Sequence, residues 1–115
     1  MNNKENLIEN LLQEQKRGTL VFSVLLNTSK ACYGYALVQT LQESGVDIEQ
    51  NTLYPLLRRL EKQELLTSSW DTSESRPRKY YTISKKGKDI LKTLKSEWLK
   101  MSEVINRMIV KEDSR

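Results

Sequence analysis

The segment Asn51–Leu66, NTLYPLLRRLEKQELL, decides the fold because it has one apolar and one basic face at helical spacing. At about 100° per residue, one side holds four leucines: Leu53, Leu56, Leu57 and Leu60. The other side holds Asn51, Tyr54, Pro55, Arg58, Arg59 and Lys62. Amide and guanidinium groups read base edges and lysine binds phosphate, so this segment is a candidate DNA recognition helix. Taken alone, it also fits an ordinary amphipathic helix with a solvated basic face.

A β-hairpin is predicted directly after this helix, where the apolar period changes. Leu65–Asp71 and Arg78–Ile83 are rich in β-branched and aromatic residues, and the polar stretch Thr72–Pro77 separates them. The loop and the second strand carry three cationic residues, Arg76, Arg78 and Lys79. A basic loop of this kind follows the phosphate backbone into the minor groove.

Strand alternation divides the second strand of the hairpin into two faces. Arg78 and Tyr80 share one face, while Lys79, Tyr81 and Ile83 share the other. One tyrosine therefore packs inward and the other faces DNA or solvent, and the pattern leaves open which is which.

Two helices are predicted before the recognition helix. Lys4–Thr28 has apolar residues at helical spacing, with an expected kink or break at Gly18. After a turn at Asn27–Ala31, Gly34–Glu43 forms the second helix and Gly45 ends it. Asn51 or Thr52 is expected to cap the third helix, which runs to about Gln63 with Pro55 in its first turn.

A long final helix is predicted from Lys85 to about Val110, capped by Ser84. It carries an apolar stripe with heptad spacing: Leu91, Leu94, Trp98, Met101, Ile105 and Met108. Such a stripe is a liability in a monomer, so it predicts a homodimer seam. Packing against the N-terminal helix of the same chain is the alternative, and both can hold together.

The order of helix, helix, helix, hairpin and long helix predicts a mainly α, α+β fold. The fold class is a winged helix-turn-helix with a two-stranded wing and a C-terminal dimerisation helix. We expect a helical extension at 1–17, the DNA-binding domain at 18–83, and the dimerisation helix with a short disordered tail at 84–115.

The composition narrows the function classes. The chain has 115 residues, a net charge of +4, no histidine and a single cysteine, Cys32. Histidine is the commonest general base and metal ligand, so its absence leads us to expect no catalytic residues, no metal site and no cofactor. No signal peptide or membrane span is visible and the lone thiol suits a reducing compartment, so a cytoplasmic protein without a membrane partner is expected. Cys32 itself is expected to be a small buried apolar residue.

Three motifs resemble the PadR family of transcriptional regulators: Asn51–Leu66, Arg76–Gly87 (RPRKYYTISKKG) and Tyr33-Gly34-Tyr35. The chain departs from the family pattern at Ser75 and Glu64, where the family often has glycine.

The resemblance implies a homodimeric repressor that binds double-stranded DNA at an inverted-repeat operator. It places the DNA contacts on Thr52, Tyr54, Arg58, Arg59, Arg76, Arg78 and Lys79, and places Leu53, Leu57 and Leu60 in the core. Some members bind aromatic effectors at the dimer centre, where this chain has Trp98 and Met101. The alternative is a winged-helix module that binds protein rather than DNA, for which the basic wing has no use.

Overall fold

The computed structural model describes residues 2–114 as four helices and a three-stranded sheet. The elements are α1 (Asn3–Leu26), β1 (Cys32–Tyr33), α2 (Gly34–Glu43), α3 (Gln50–Lys62), β2 (Leu66–Asp71), β3 (Arg78–Ile83) and α4 (Lys85–Asp113). The sheet is antiparallel with the order β1-β3-β2. This arrangement confirms the predicted winged helix-turn-helix class, and the sheet has one strand more than the predicted two-stranded hairpin.

The additional strand, β1, joins the start of α2 to the wing. Cys32 is paired with Tyr81 and Tyr33 with Tyr80. The Cys32 side chain is half-buried, and burial raises the pKa of its thiol. As a result the wing is attached along β3 to the helical part of the domain as well as through its ends.

The start of α3 differs from the prediction. The helix begins at Gln50, and Glu49 is its N-cap without a side-chain hydrogen bond, so Asn51 and Thr52 lie inside the first turn. The Glu49 carbonyl accepts from the N–H groups of Thr52 and Leu53, at 3.1 and 3.0 Å. Pro55 therefore lies in the second turn, where its missing N–H leaves the Asn51 carbonyl without its usual helical donor.

The core gathers the apolar faces of the first three helices and the sheet. Its buried residues are Val24, Leu25, Leu37, Val38, Leu41, Ile48, Leu53, Leu57, Leu60, Leu66, Tyr81 and Ile83. The recognition-helix leucines predicted for the core, Leu53, Leu57 and Leu60, are at most 1% exposed. This burial fixes which side of α3 faces away from the domain.

The long helices extend beyond this core. Helix α1 continues through Gly18 without the expected break, and its N-cap Asn2 accepts from the Glu5 N–H at 2.7 Å. Helix α4 begins as predicted, with the Ser84 hydroxyl accepting from the Gly87 N–H at 2.9 Å. It runs to Asp113, so the segment predicted as a disordered tail is helical up to that residue. Within residues 2–114, no helix is both long and apolar enough to span a membrane.

Candidate nucleic-acid interface

The outer face of α3 is formed by the polar residues predicted to contact DNA. Asn51, Thr52, Arg58, Arg59 and Lys62 are exposed, and Tyr54 is half-buried. Because Leu53, Leu57 and Leu60 are buried on the inner side, these groups point away from the core. The helix can therefore enter a groove of DNA without disturbing its packing.

A cleft of about 590 Å³ lies between α3, the start of α2 and the wing. It is lined by Tyr33, Gly34, Tyr35, Tyr54, Arg76, Pro77, Arg78, Lys79 and Tyr81. Four of the predicted DNA contacts meet here: Tyr54, Arg76, Arg78 and Lys79. The lining does not include Asn51, Arg58, Arg59 or Lys62, which lie along the outer face of α3 beside the cleft, and Thr52 lines a different groove.

Tyr33 and Tyr35 also line this cleft, although the sequence did not mark them as site residues. Tyr35 is exposed, and its hydroxyl accepts from the Gln39 amide at 3.1 Å. The signal in the sequence is the Tyr33-Gly34-Tyr35 motif, which marks the start of a helix but does not show that the two tyrosines face the wing. Its position beside the wing depends on the pairing of β1 with β3, which the sequence pattern did not predict.

Close packing at Gly34 fixes the position of Tyr54. A Cβ atom at Gly34 would lie 2.4 Å from Tyr54 Cε1 and 3.1 Å from Cζ. The first residue of α2 must therefore lack a side chain for the Tyr54 ring to occupy the cleft. The contact couples the position of α2 to the recognition helix.

The outer face of the wing is stabilised by a tyrosine–carboxylate network. The Tyr33 and Tyr80 rings stack with centroids 4.4 Å apart, and their hydroxyls lie 2.9 Å apart. These hydroxyls are 3.1 and 3.2 Å from Asp71 Oδ2, while the Ser73 hydroxyl and N–H donate to Oδ1. The hydrogen bonds from Ser73, followed by those of the tyrosines, lower the pKa of Asp71 to about 2. The hydrogen bond with Tyr33, followed by burial and Asp71, raises the pKa of Tyr80 to about 12.

The inner face of the wing resolves the alternative left open for the two tyrosines. Tyr81 is 4% exposed in the core, and Tyr80 is on the outer face. Lys79 shares the inner face with Tyr81, and its ammonium lies 3.1 Å from Glu61 Oε1 of α3. The Glu61 carboxylate also accepts from the Ser68 hydroxyl. The hydrogen bond from Ser68, followed by Lys79, lowers the pKa of Glu61, and the bond to Glu61 raises the pKa of Lys79.

Lys79 therefore connects the wing to the recognition helix. Its ammonium is bound to a carboxylate of α3, and Lys79 still lines the wing cleft together with Tyr54. The remaining wing cations are Arg76, which is exposed, and Arg78, whose guanidinium carbon lies 5.1 Å from the Tyr33 ring centroid. Arg78 also has a long, exposed contact of 3.8 Å with Glu74.

The heptad stripe of α4 divides into two parts. Leu91 and Leu94, predicted at the dimer seam, are half-buried against the core of their own chain. Trp98, Met101, Ile105 and Met108 are between 44% and 62% exposed. The Trp98 ring lies beside Phe22 of α1 with centroids 6.2 Å apart, so α1 covers part of the stripe near its middle.

Comparison with known proteins relates the chain to one family. Residues 21–93 match the model of the transcriptional regulator PadR-like family. A PadR family transcriptional regulator from Eggerthella lenta is 40% identical, with 92% of this chain and 95% of that chain covered and a TM-score of 0.83. An uncharacterized protein from Lysinibacillus sphaericus is 36% identical over 95 residues, which are 78% of this chain and 87% of that protein. Bacillus subtilis PadR, in a structure with operator DNA, is 22% identical with a TM-score of 0.59, and 70% of this chain and 46% of that chain are covered.

Proposed function

Because the chain belongs to the PadR-like family of transcriptional regulators, we propose that it represses transcription by binding an inverted-repeat operator as a homodimer in the cytoplasm. The family consists of transcriptional regulators, which confirms the prediction that the chain is not an enzyme. In this proposal the bound dimer represses transcription because it covers a promoter and blocks access to it.

The observation that carries DNA binding is the joint placement of α3 and the wing. Tyr54 of α3 and the cations Arg76 and Arg78 line one cleft, and the Lys79–Glu61 ion pair fixes the wing relative to the helix. Arg58 on the outer face of α3 is suited to bidentate contact with guanine, and the wing cations are suited to phosphate. The fold shared with Bacillus subtilis PadR, which was determined with operator DNA, further supports DNA as the partner.

The proposal of a homodimer rests on apolar residues that the chain itself does not cover. These are Leu7, Ile8, Leu11 and Leu12 of α1 and Trp98, Leu99, Met101, Ile105, Met108 and Ile109 of α4. Two antiparallel or crossed copies of these helices would bury such faces together, as obligate dimers do. Two-fold symmetry then presents two recognition helices to half-sites about 34 Å apart.

Trp98 and Met101 are the residues of this chain proposed to bind an aromatic effector. In a single chain Trp98 has Phe22 on one side and is 47% exposed, so a second chain supplies the opposite wall. A flat ligand would stack there on indole, with the flexible thioether of Met101 adapting to its shape. Titration of aromatic compounds into a Trp70→Phe variant should quench Trp98 fluorescence. If no compound of a broad panel changes this fluorescence, the effector is removed from the proposal.

DNA binding is tested with the full chain and the DNA upstream of its own gene, with unrelated DNA as the competitor. Selective binding that weakens steeply with salt is expected. Arg58→Ala should cost about 1–3 kcal/mol and relax the preference for the operator, since a base contact is lost. Arg76→Ala should weaken binding to both DNAs equally, and Lys100→Gln on α4 is the control that should change neither. A stable dimer that binds no DNA would favour the protein-binding module instead.

A further inference from the structure

A second groove, of about 460 Å³, lies on α3 away from the wing. It runs between α1 and the turn before α3, and is lined by Gln13, Lys16, Arg17, Thr19, Leu20, Gly45, Val46, Asp47 and Thr52. Of these, only Thr52 belongs to the recognition helix as predicted from the sequence. The cations Lys16 and Arg17 belong to none of the motifs found in the sequence.

The two grooves lie on opposite sides of α3. The wing cleft meets the helix at Tyr54, and the second groove meets it at Thr52. Residues two positions apart on an α-helix are separated by about 200°, so Thr52 and Tyr54 flank the outer face from either side. Asn51 and Arg58 lie between these flanks and are both exposed.

Helix α1 directs its cations to this groove and its acidic neighbour elsewhere. Lys16 and Arg17 line the groove, whereas Glu14 lines a separate surface with Leu11 and Leu12. Within residues 2–114, neither Lys16 nor Arg17 pairs with a carboxylate. Among residues 2–114, Asp47 is the one acidic residue in the groove lining, so two cations outside any ion pair lie in a groove with a single carboxylate.

A helix in the major groove has a phosphate backbone on each side. The wing supplies cations to one side, and the groove beside Thr52 is the matching position for the other. We infer that Lys16 and Arg17 bind backbone phosphates of the operator, with the Thr52 hydroxyl as a neighbouring donor. This inference rests on the proposed DNA binding and adds α1 to the DNA-binding surface.

Phosphate contacts have a distinct experimental consequence. Each one contributes about 0.9 to the slope of log affinity against log salt, and none contributes to the choice of sequence. Two contacts in each protomer give four in a dimer. Their loss should therefore make the slope shallower by about 3 to 4, with the ratio of operator to unrelated-DNA affinity unchanged.

The experiment compares the full-length protein with a Lys16→Gln, Arg17→Gln variant on operator DNA, by fluorescence anisotropy between about 50 and 200 mM salt. Glutamine is a good helix former, so α1 should keep its structure, which circular dichroism checks. The matched control is Lys4→Gln with Lys100→Gln, which removes the same charge far from the groove. A third variant, Lys16→Arg with Arg17→Lys, keeps the charge and should keep the wild-type slope, so the test does not depend on one variant folding.

A shallower slope in the first variant alone, with unchanged selectivity, supports the phosphate contacts. An unchanged slope, or an equal change in the control, overturns them while leaving the proposed function intact. Failure of the wild-type protein to bind any DNA selectively would instead overturn the proposed function. The two failures are therefore distinguished by the wild-type measurement.

Discussion

Replacing Gly34 by alanine is predicted to destabilise the domain through Tyr54. The new Cβ would lie 2.4 Å from Tyr54 Cε1, so the ring has to swing out of the wing cleft or α2 and α3 have to separate. Inserting an atom into such a packed contact costs about 1–3 kcal/mol. Alanine regains at most about 0.5–1 kcal/mol, because that gain applies to the middle of a helix and Gly34 is the first residue of α2. The expected net loss in the free energy of unfolding is between about 0 and 3 kcal/mol.

A double-mutant cycle separates this clash from other effects of the substitution. In a Tyr54→Ala background the ring is gone, so Gly34→Ala should stabilise the protein by a few tenths to about 1 kcal/mol. The effect of Gly34→Ala therefore differs between the two backgrounds, and the coupling energy equals the cost of the clash, about 1–3 kcal/mol, as expected for residues in contact. Urea unfolding of the four proteins, followed by circular dichroism, measures each value. Equal effects of Gly34→Ala in both backgrounds would refute the reasoning from the Tyr54 contact.

Three further predictions concern the turns and the wing. Glu64 has φ = 65°, a left-handed conformation that glycine adopts without strain. Glu64→Gly should therefore raise the free energy of unfolding by about 0.5–1 kcal/mol, whereas Glu64→Ala should not. Equal effects of the two substitutions would contradict the role of φ. A Cβ on Gly87 would lie 2.3 Å from the Leu65 carbonyl oxygen. Gly87→Ala should therefore lower the midpoint of thermal unfolding by several degrees. An unchanged midpoint would show that the backbone adjusts freely. The pKa of Tyr80 is raised from 10.0 to about 12 and that of Asp71 is lowered from 3.8 to about 2. Their contributions to stability are therefore fully present between about pH 4 and pH 10 and are lost below and above that window. In an ultraviolet titration, Tyr80→Phe should remove the component that ionises near pH 12, and retention of that component would assign it to another residue.

Local patterns predicted much of the fold correctly because they act over few residues. The bounds of α2 agree with the prediction, since Gly34 and Gly45 mark its two ends and Gly45 has φ = 101°. The hairpin strands agree within one residue, because β-branched and aromatic alternation is a local signal. The Ser84 cap is also correct, because its hydroxyl accepts from the N–H group three residues later in the chain, which is a local interaction.

The errors arose where distant parts of the chain decide the structure. A two-residue strand such as Cys32–Tyr33 has no alternation to detect, and it exists because β3 offers an edge. Asn51 and Thr52 are good capping residues, yet α3 begins at Gln50, before either of them. The position of the helix is fixed instead by the burial of its leucines in the core. The ion pair between Lys79 and Glu61 was also not predicted, because the two residues are 18 positions apart in sequence.

The predicted DNA contacts of α3 also show which part of the geometry a sequence pattern does not reveal. Helical periodicity correctly separated the buried leucines of α3 from its polar residues, because both follow from one helix. It could not say that Tyr54 faces the wing and Thr52 faces α1, since that depends on how three elements pack. The residues of the proposed DNA-binding surface can therefore be predicted from one helix, whereas their arrangement can be described only from the assembled domain.

The distribution of apolar residues links association to DNA binding. The core uses Leu20 and Val24 of α1 and ends on α4 at Leu94, so both helices continue well beyond it, and the chain measures 62 Å in its longest direction. Helical segments without tertiary contacts are only marginally stable in water, and these carry exposed apolar faces as well. Burial against a second copy would stabilise them and at the same time set the spacing of the two recognition helices. In the proposed dimer the same contacts therefore determine the stability of the helical arms and the operator spacing that the protein can bind, and a ligand at Trp98 can alter binding only by favouring one spacing over another.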